Sequence, residues 1–381
     1  MIYLDNTATS FPKPPEVTRA MMSFMTDVGA NPGRSGHRLS AEAARIVFEA
    51  REATALLLGV SDSRQVVFAP NATHALNLAL KGLLEPGDHV VATSMEHNAV
   101  MRPLRQLMEE RSVEVTVVES DAAGRCDPGA VAKAVTRRTR LVVVNHASNV
   151  VGTLAPLARI KDAIKGALLL VDAAQSAGAV DIHAERDGID LLAFTGHKSM
   201  LGPQGTGGLF IRPGLDLRPL VAGGTGSSSE SDSQPRILPD RYESGTLNTP
   251  GLAGLGAGSR FLLDHGMEKV RAHGRDLFVR FWDGLRRIEG IELYGPDDPD
   301  ERLPTIALNV RGMDPAEVGR ILDRRFGILV RPGLHCAPLA HQTLGTFPSG
   351  SVRFGIGFLS TALQIDEALA ALREIAKERA R

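Results

Sequence analysis

IDLLAFTGHKSMLGPQGTGGLFI, residues 189–211, decides the fold. Two short apolar runs, IDLLAF (189–194) and GGLFI (207–211), bracket a loop of small residues that holds one lysine, Lys198. The runs have strand length and strand composition. A lysine in such a loop could bind a phosphate, bond covalently to a cofactor, or be an ordinary solvated residue.

Outward from this stretch the same grammar repeats. QVVF (65–68), HVVAT (89–93), VEVTVV (113–118), LVVVN (141–145) and ALLLVD (167–172) are further strands. Helical patterns such as THALNLALKGLL (73–84) and PGAVAKAV (128–135) lie between them. This alternation predicts an α/β domain on a mostly parallel seven-stranded sheet covered on both faces. A helix is expected from Ser40 to Leu58, with Ser40 as N-cap and Gly59 just past its end.

After Ile211 the pattern changes. Residues 223–240, GGTGSSSESDSQPRILPD, have loop composition: a surface loop, or a segment ordered by a partner subunit. Residues 250–290 read as helical. PTIALNV (304–310), GILV (327–330) and SVRFGI (351–356) read as strands, DPAEVGRILDRRF (314–326) and Ser360–Arg379 as helices. This is a smaller α+β domain. The expected division is 1–13 as a segment packing with the small domain, 14–255 as the large domain and 256–381 as the small one.

Composition narrows the class. The chain has 381 residues, enough for two domains. Hydrophobic residues are 43%, charged residues 23% and formal net charge is −1, so no overall field recruits nucleic acid or an anionic membrane. MIYLDNTATSF has no signal-peptide pattern, and no run reaches the ~18 apolar residues of a spanning helix. Two cysteines, Cys126 and Cys336, make neither a disulfide framework nor a CxxC metal site. A cytoplasmic enzyme without a metal is expected.

Ligands of open α/β sheets sit beyond the carboxyl ends of the strands. Asn71 and Thr73 follow QVVF at a helix start, where backbone N–H groups and a hydroxyl suit an anion, although either residue could simply cap the helix. His97 follows HVVAT, and alone could be structural. Asn149 follows LVVVN. Asp172 and Gln175 follow ALLLV, and a buried strand-end aspartate is costly unless a cation meets it. Thr195, His197 and Lys198 follow IDLLAF. Lys198-Ser199 lacks the glycine of a Walker loop, and GPQGTGG is no dinucleotide fingerprint. The covalent reading accounts for more. A lysine amine condenses with an aldehyde, and pyridoxal 5'-phosphate carries that aldehyde with a pyridine nitrogen that needs a carboxylate.

VDAAQS (171–176) and TGHK (195–198) together resemble the class V aminotransferase group of pyridoxal-phosphate enzymes, of fold type I. RPGLHCAPLAH (331–341) resembles the cysteine desulfurases within it. The similarity runs from YLDNTATS (3–10) through NPGRSGH (31–37) and YESGTLN (242–248) to VRFGIG (352–357). It implies Lys198 as the Schiff-base lysine and proton-moving base, His97 stacked on the pyridine ring, and Asp172 on its nitrogen. Gln175 would contact the phenolic oxygen. Thr73, His74, Thr195 and His197 would lie at the cofactor, and Thr246 would reach the phosphate of the neighbouring subunit, so the enzyme would be a homodimer. Asn149, Arg353 and Arg331 would serve the substrate, with Arg353 gripping its carboxylate. Cys336 would take the sulfur of L-cysteine as a persulfide. It should lie exposed near positive charge, with Arg331 and His335 as candidate neighbours.

Only a short segment separates Cys336 from Arg353. That resembles the second group of desulfurases, which is similar to selenocysteine lyases, and implies a sulfur-acceptor protein that comes to the loop. L-selenocysteine as substrate, another class V reaction, and a non-enzymatic sulfur-transfer scaffold are the alternatives. The chain departs from the family pattern at His74, Leu247, Pro332 and Leu334. Cys126 is expected in a surface turn without a role.

Overall fold

A computed structural model describes residues 1–33, 36–227 and 230–380. Arg34 and Ser35 of the NPGRSGH motif, Ser228 and Ser229 of the 223–240 segment, and Arg381 lie outside them.

In chain order the strands are β1 (Ile2–Tyr3), β2 (Val66–Ala69), β3 (His89–Thr93), β4 (Glu114–Val118), β5 (Thr139–Asn145), β6 (Leu168–Asp172), β7 (Leu191–Thr195), β8 (Gly207–Ile211), β9 (Ile291–Tyr294), β10 (Thr305–Val310), β11 (Ile328–Leu329), β12 (Arg331–Gly333) and β13 (Ser351–Gly355). All seven strands expected before residue 212 join one sheet, in the order β2-β8-β7-β6-β5-β3-β4. Only β8 runs against its neighbours. β3, β6, β7 and β8 are buried along their whole length, because helices cover both faces, and so they read as unbroken apolar runs. β4 closes one edge and alternates instead, with Glu114 and Thr116 exposed.

The glycines around Lys198 have a packing reason. A Cβ on Gly207 would lie 2.6 Å from the Phe194 carbonyl oxygen and 2.8 Å from the Asn71 Cα. One on Gly208 would meet the Val67 carbonyl oxygen at 2.5 Å. Only glycine lets β8 pass this close beneath the lysine loop and the helix after β2.

The small domain carries the antiparallel sheet β12-β13-β10-β9 on its own core, which includes Phe278, Phe281, Trp282 and Phe354. Helices Thr249–His265 and Met267–Leu285 lead into it, and the first runs unbroken through residue 255. β1 pairs in parallel with β11, and Asp5 bridges to Gly355.

Two local expectations fail. The first long helix runs Arg38–Leu57 and its N-cap is His37, whose Nδ1 accepts from the Ser40 amide at 3.2 Å. Ser40 is already inside the first turn, and its hydroxyl donates to the Asn31 carbonyl at 2.9 Å. Cys126 is buried rather than in a surface turn. It packs in the large core with Val118 and Val131, and burial pushes its thiol up to about 12.

Candidate active site

The carboxyl ends of β2, β3, β5, β6 and β7 open into one cleft. Thr73, His97, Asn149, Asp172, Gln175, Thr195, His197 and Lys198 all line it. Neighbouring strands set their level: Asn145 is paired with Asp172, and Asp172 with Ala193, two residues before Thr195.

Each wall has a local cause. Asn71 caps the helix Ala72–Leu83, its Oδ1 accepting from the His74 amide at 2.9 Å, which settles which of the two residues is the cap. Thr73 therefore sits in the first turn with an exposed side chain facing the cleft, where the helix N-terminus favours an anion. His97 caps Asn98–Arg111, and its Nδ1 accepts from the Ala99 amide at 3.0 Å. That bond leaves the proton on Nε2. Burial, then Lys198, Arg331, Arg353 and Arg102, push its pKa down to about 4, so the ring is neutral.

Asp172 is buried, and burial raises its pKa, against the Ala174 amide bonded to Oδ1 at 2.9 Å and the charge of Lys198. A cationic group at its free face would reverse that shift. The Lys198 amine makes no hydrogen bond to any described residue, although its backbone carbonyl accepts from the Leu201 amide at 2.9 Å. Burial holds its amine down at about 8, opposed by the charge of Asp172 and helped by those of Arg353 and Arg331. His197 is pushed down to about 4 by burial, then by Lys198 and Lys13, and its Nδ1 is buried with no partner. An uncommitted amine, an unmatched carboxylate, a neutral ring and a helix start around one cleft fit pyridoxal phosphate: an aldehyde, a pyridinium, a flat face and a phosphate. Among the described residues no cluster of His, Cys, Asp and Glu could hold a metal.

Cys336, Arg331 and Arg353 are not among the residues that line the cleft. Cys336 is exposed, and Arg331 Nη2 stands 3.8 Å from its Sγ. Its carbonyl accepts from the Asn98 amide at 2.9 Å, so it is tied to the helix that His97 caps. Asn149 Nδ2 donates to the His335 carbonyl at 2.7 Å, and Asn149 Oδ1 is buried without a partner. Arg353 is 1% exposed; Nη1 donates to the Asn149 carbonyl at 2.9 Å and Nη2 to Asp5 Oδ1 at 2.8 Å.

Three expected residues stand elsewhere. His335 supplies no positive charge to Cys336: its ring turns inward, is buried, and burial pushes its pKa down to about 2. His74 does not line the cleft; its neighbour Thr73 does. Thr246 lies in a separate surface pocket with Asn31, Gly33, Thr225 and Glu243.

Sequence reasoning missed Glu96 and Lys13. Glu96 is 1% exposed; its Oε1 accepts from Thr93 Oγ1 at 2.7 Å and from the Asn145 amide at 2.9 Å, and burial pushes it up to about 8. The signal available was a carboxylate directly before His97. Lys13 Nζ donates to Ser10 Oγ at 2.7 Å and to the His197 carbonyl at 2.9 Å, so the N-terminal segment holds the backbone just before Lys198. No local pattern pairs residue 13 with residue 197.

This sheet, with a lysine and an aspartate at the ends of adjacent central strands, defines a fold-type I pyridoxal-phosphate enzyme of the aminotransferase kind. The chain matches the model of the class-V aminotransferase family over residues 2–368 and belongs to that family. It is 38% identical to a probable cysteine desulfurase of Methanothermobacter thermautotrophicus, over 98% of this chain and 94% of that one. Among solved structures it resembles the apo structure of a cysteine desulfurase from Thermococcus onnurineus NA1, with TM-score 0.93, 32% identity and coverage of 99% and 95%. It also resembles the cysteine desulfurase CsdA (S-sulfonic acid) from Escherichia coli, with TM-score 0.88, 26% identity and coverage of 99% and 94%.

Proposed function

We propose that this chain is a pyridoxal-phosphate-dependent cysteine desulfurase that converts L-cysteine to L-alanine and takes the sulfur onto Cys336 as a persulfide. The observation that carries the reading is one hydrogen bond, from the Asn98 amide to the Cys336 carbonyl, which joins an exposed thiol to the helix capped by His97 at the cofactor cleft.

Lys198 would hold the cofactor covalently, Asp172 its ring nitrogen, His97 its face and Gln175 its phenolic oxygen. Thr73, Thr195 and His197 would hold its phosphate. When bound, pyridoxal phosphate supplies an electron sink for the substrate's Cα. The protein's own work is then positional and protonic. Arg353 grips the substrate carboxylate, with Asn149 beside it. The substrate's amine takes the place of Lys198 on the cofactor, and the lysine amine freed in this way takes the Cα proton. Cys336 Sγ attacks the substrate sulfur: an S–S bond forms, the Cβ–S bond breaks, and its electron pair stays on carbon. Protons returned to carbon complete alanine. One sulfur atom has moved, and no outside oxidant is needed.

The active unit is proposed to be a homodimer in the cytoplasm. Residues of NPGRSGH and YESGTLN converge with Thr225 on a pocket away from Lys198, which supports a role for Thr246 in a second subunit's site. A sulfur-acceptor protein is proposed because Cys336 is anchored by its backbone. We keep 1–13, 14–255 and 256–381 as the proposed units. No helix among the described residues is long and apolar enough to cross a membrane.

The test is turnover of L-cysteine by the cofactor-loaded protein with a thiol reductant. Equal alanine and sulfide, both lost in Cys336→Ala that still binds cofactor, is the expected result. Release of selenide from L-selenocysteine without sulfide from L-cysteine, in both proteins, would replace this reading by a selenocysteine lyase.

A further inference from the structure

Cys336 is held in a conformation that it would not choose. His335 has φ +51° and Cys336 φ +58°, two consecutive left-handed residues without glycine, which costs free energy and needs clamps. Two clamps are backbone ones: the His335 carbonyl accepts from Asn149 Nδ2, and the Cys336 carbonyl from the Asn98 amide.

The third is a chain of side chains beneath the loop. His335 Nε2 lies 2.9 Å from the Arg331 carbonyl, His335 Nδ1 3.1 Å from His341 Nε2, and His341 Nδ1 2.6 Å from Thr346 Oγ1. His341 is 0%, His335 3% and Thr346 7% exposed. A carbonyl only accepts, so His335 must donate from Nε2. Its bare Nδ1 then accepts from His341 Nε2–H, and bare His341 Nδ1 accepts the Thr346 hydroxyl proton. Every proton is assigned by the one fixed end. Burial keeps both rings neutral, at about 2 for His335 and about 4 for His341, which this single direction requires.

We propose that His341 and Thr346 are positioning residues that hold the Cys336 loop, by fixing the His335 ring against the Arg331 carbonyl. The relay ties Arg331 to His335, the residue directly before Cys336. It thereby sets the Arg331 guanidinium beside the sulfur while the left-handed pair turns that sulfur outward. Neither residue lines the cleft that holds Lys198. The proposal deepens the reading of Cys336 as sulfur acceptor, and rests on it only for the turnover measurement below.

The test compares Thr346→Val, which deletes only the hydroxyl at the far end, with Thr346→Ser, which restores it, and His341→Leu with His341→Gln. Each cofactor-loaded protein is assayed for kcat and KM with L-cysteine. Separately, without substrate, iodoacetamide alkylation of Cys336 is followed by peptide mass. Thr346→Val is expected to lower kcat and slow alkylation about three- to tenfold, the scale of one ordinary hydrogen bond. KM and cofactor loading stay at the wild-type value, and Thr346→Ser recovers both rates. His341→Leu is expected to lose more than His341→Gln; if it fails to fold, the threonine pair decides. Wild-type kcat and alkylation in Thr346→Val would overturn the proposal, and so would a loss that Thr346→Ser does not restore. The alkylation arm needs no turnover. An altered alkylation rate in a protein that makes no alanine from cysteine would sink the desulfurase reading and leave the relay standing.

Discussion

Arg353 Nη2 and Asp5 Oδ1 meet at 2.8 Å across almost the whole length of the chain. Arg353 is nearly closed to solvent at 1% exposed while Asp5 is partly exposed, and the Arg353 Nε is buried without a partner. Asp5 and the Asn149 carbonyl hold the two terminal nitrogens, so the fork has a fixed orientation before any carboxylate arrives. Pre-set geometry of this kind is what makes arginine more than a positive charge. Arg353→Lys keeps the charge and loses the fork. We expect the KM for L-cysteine to rise by roughly 10- to 100-fold, the scale of a charged hydrogen bond of about 1.5–3 kcal/mol. Steady-state kinetics checks this, and an unchanged KM would move the carboxylate site away from Arg353.

Lys198 gives a pH prediction. Its amine is held at about 8, below the ordinary lysine value of 10.5, so it is neutral above about 8. Only the neutral amine attacks an aldehyde. The rate at which cofactor-free protein takes up pyridoxal phosphate should rise with pH and level off just above 8. Absorbance of the bound cofactor follows it. A rate still climbing through pH 10 would mean that the amine is an ordinary solvated one.

Glu96 gives a second, with the opposite sense. Its folded value is about 8 against 4.5 for an ordinary glutamate, so between these the folded state binds more protons than the unfolded one. Stability contributed by the protonated carboxyl is full below about 4.5 and is lost as pH rises toward 8. Glu96→Gln mimics the protonated form. In urea titrations it should gain on the wild type steadily from pH 5 to pH 8. A constant difference across that range would contradict the assignment.

Arg51 and Glu243 form a buried pair at 2.6 Å, with side chains 7% and 5% exposed. Glu243 also accepts from the Phe68 amide at 2.6 Å, and Arg51 Nη1 donates to the Val66 carbonyl at 2.6 Å. Together they fasten YESGTLN to β2 and to the helix Arg38–Leu57. Glu243→Ala leaves a buried cation unmatched, and should cost about 3–5 kcal/mol of stability by denaturant unfolding. Loss of under ~1 kcal/mol, the worth of a surface pair, would show that water reaches the site.

What the chain declares openly is set by period and by loop chemistry. The seven strands before residue 212 were legible because a sheet covered on both faces must be apolar throughout. Asp172 and Lys198 stood out because a strand-end carboxylate and a lysine among glycines each needed a partner. The two-residue β1 and the Arg-Pro-Gly of β12 have no period to read, and β9 is short and half-buried. Ser40 was a plausible cap until His37, a rarer one, took the position. Lys13, Asp5 and the His335–His341–Thr346 relay rest on contacts that only the folded chain brings together. Cys126 lies in a turn-like sequence whose burial comes from packing with Val118 and Val131.

One measurement tests the central claim most directly. The cofactor-loaded protein is mixed with one equivalent of L-cysteine without reductant, quenched with an alkylating agent, and its cysteine peptides are weighed. The account predicts one added sulfur atom on Cys336, none on Cys126, and one alanine released per sulfur bound. Alanine formed with no sulfur on Cys336 would contradict it.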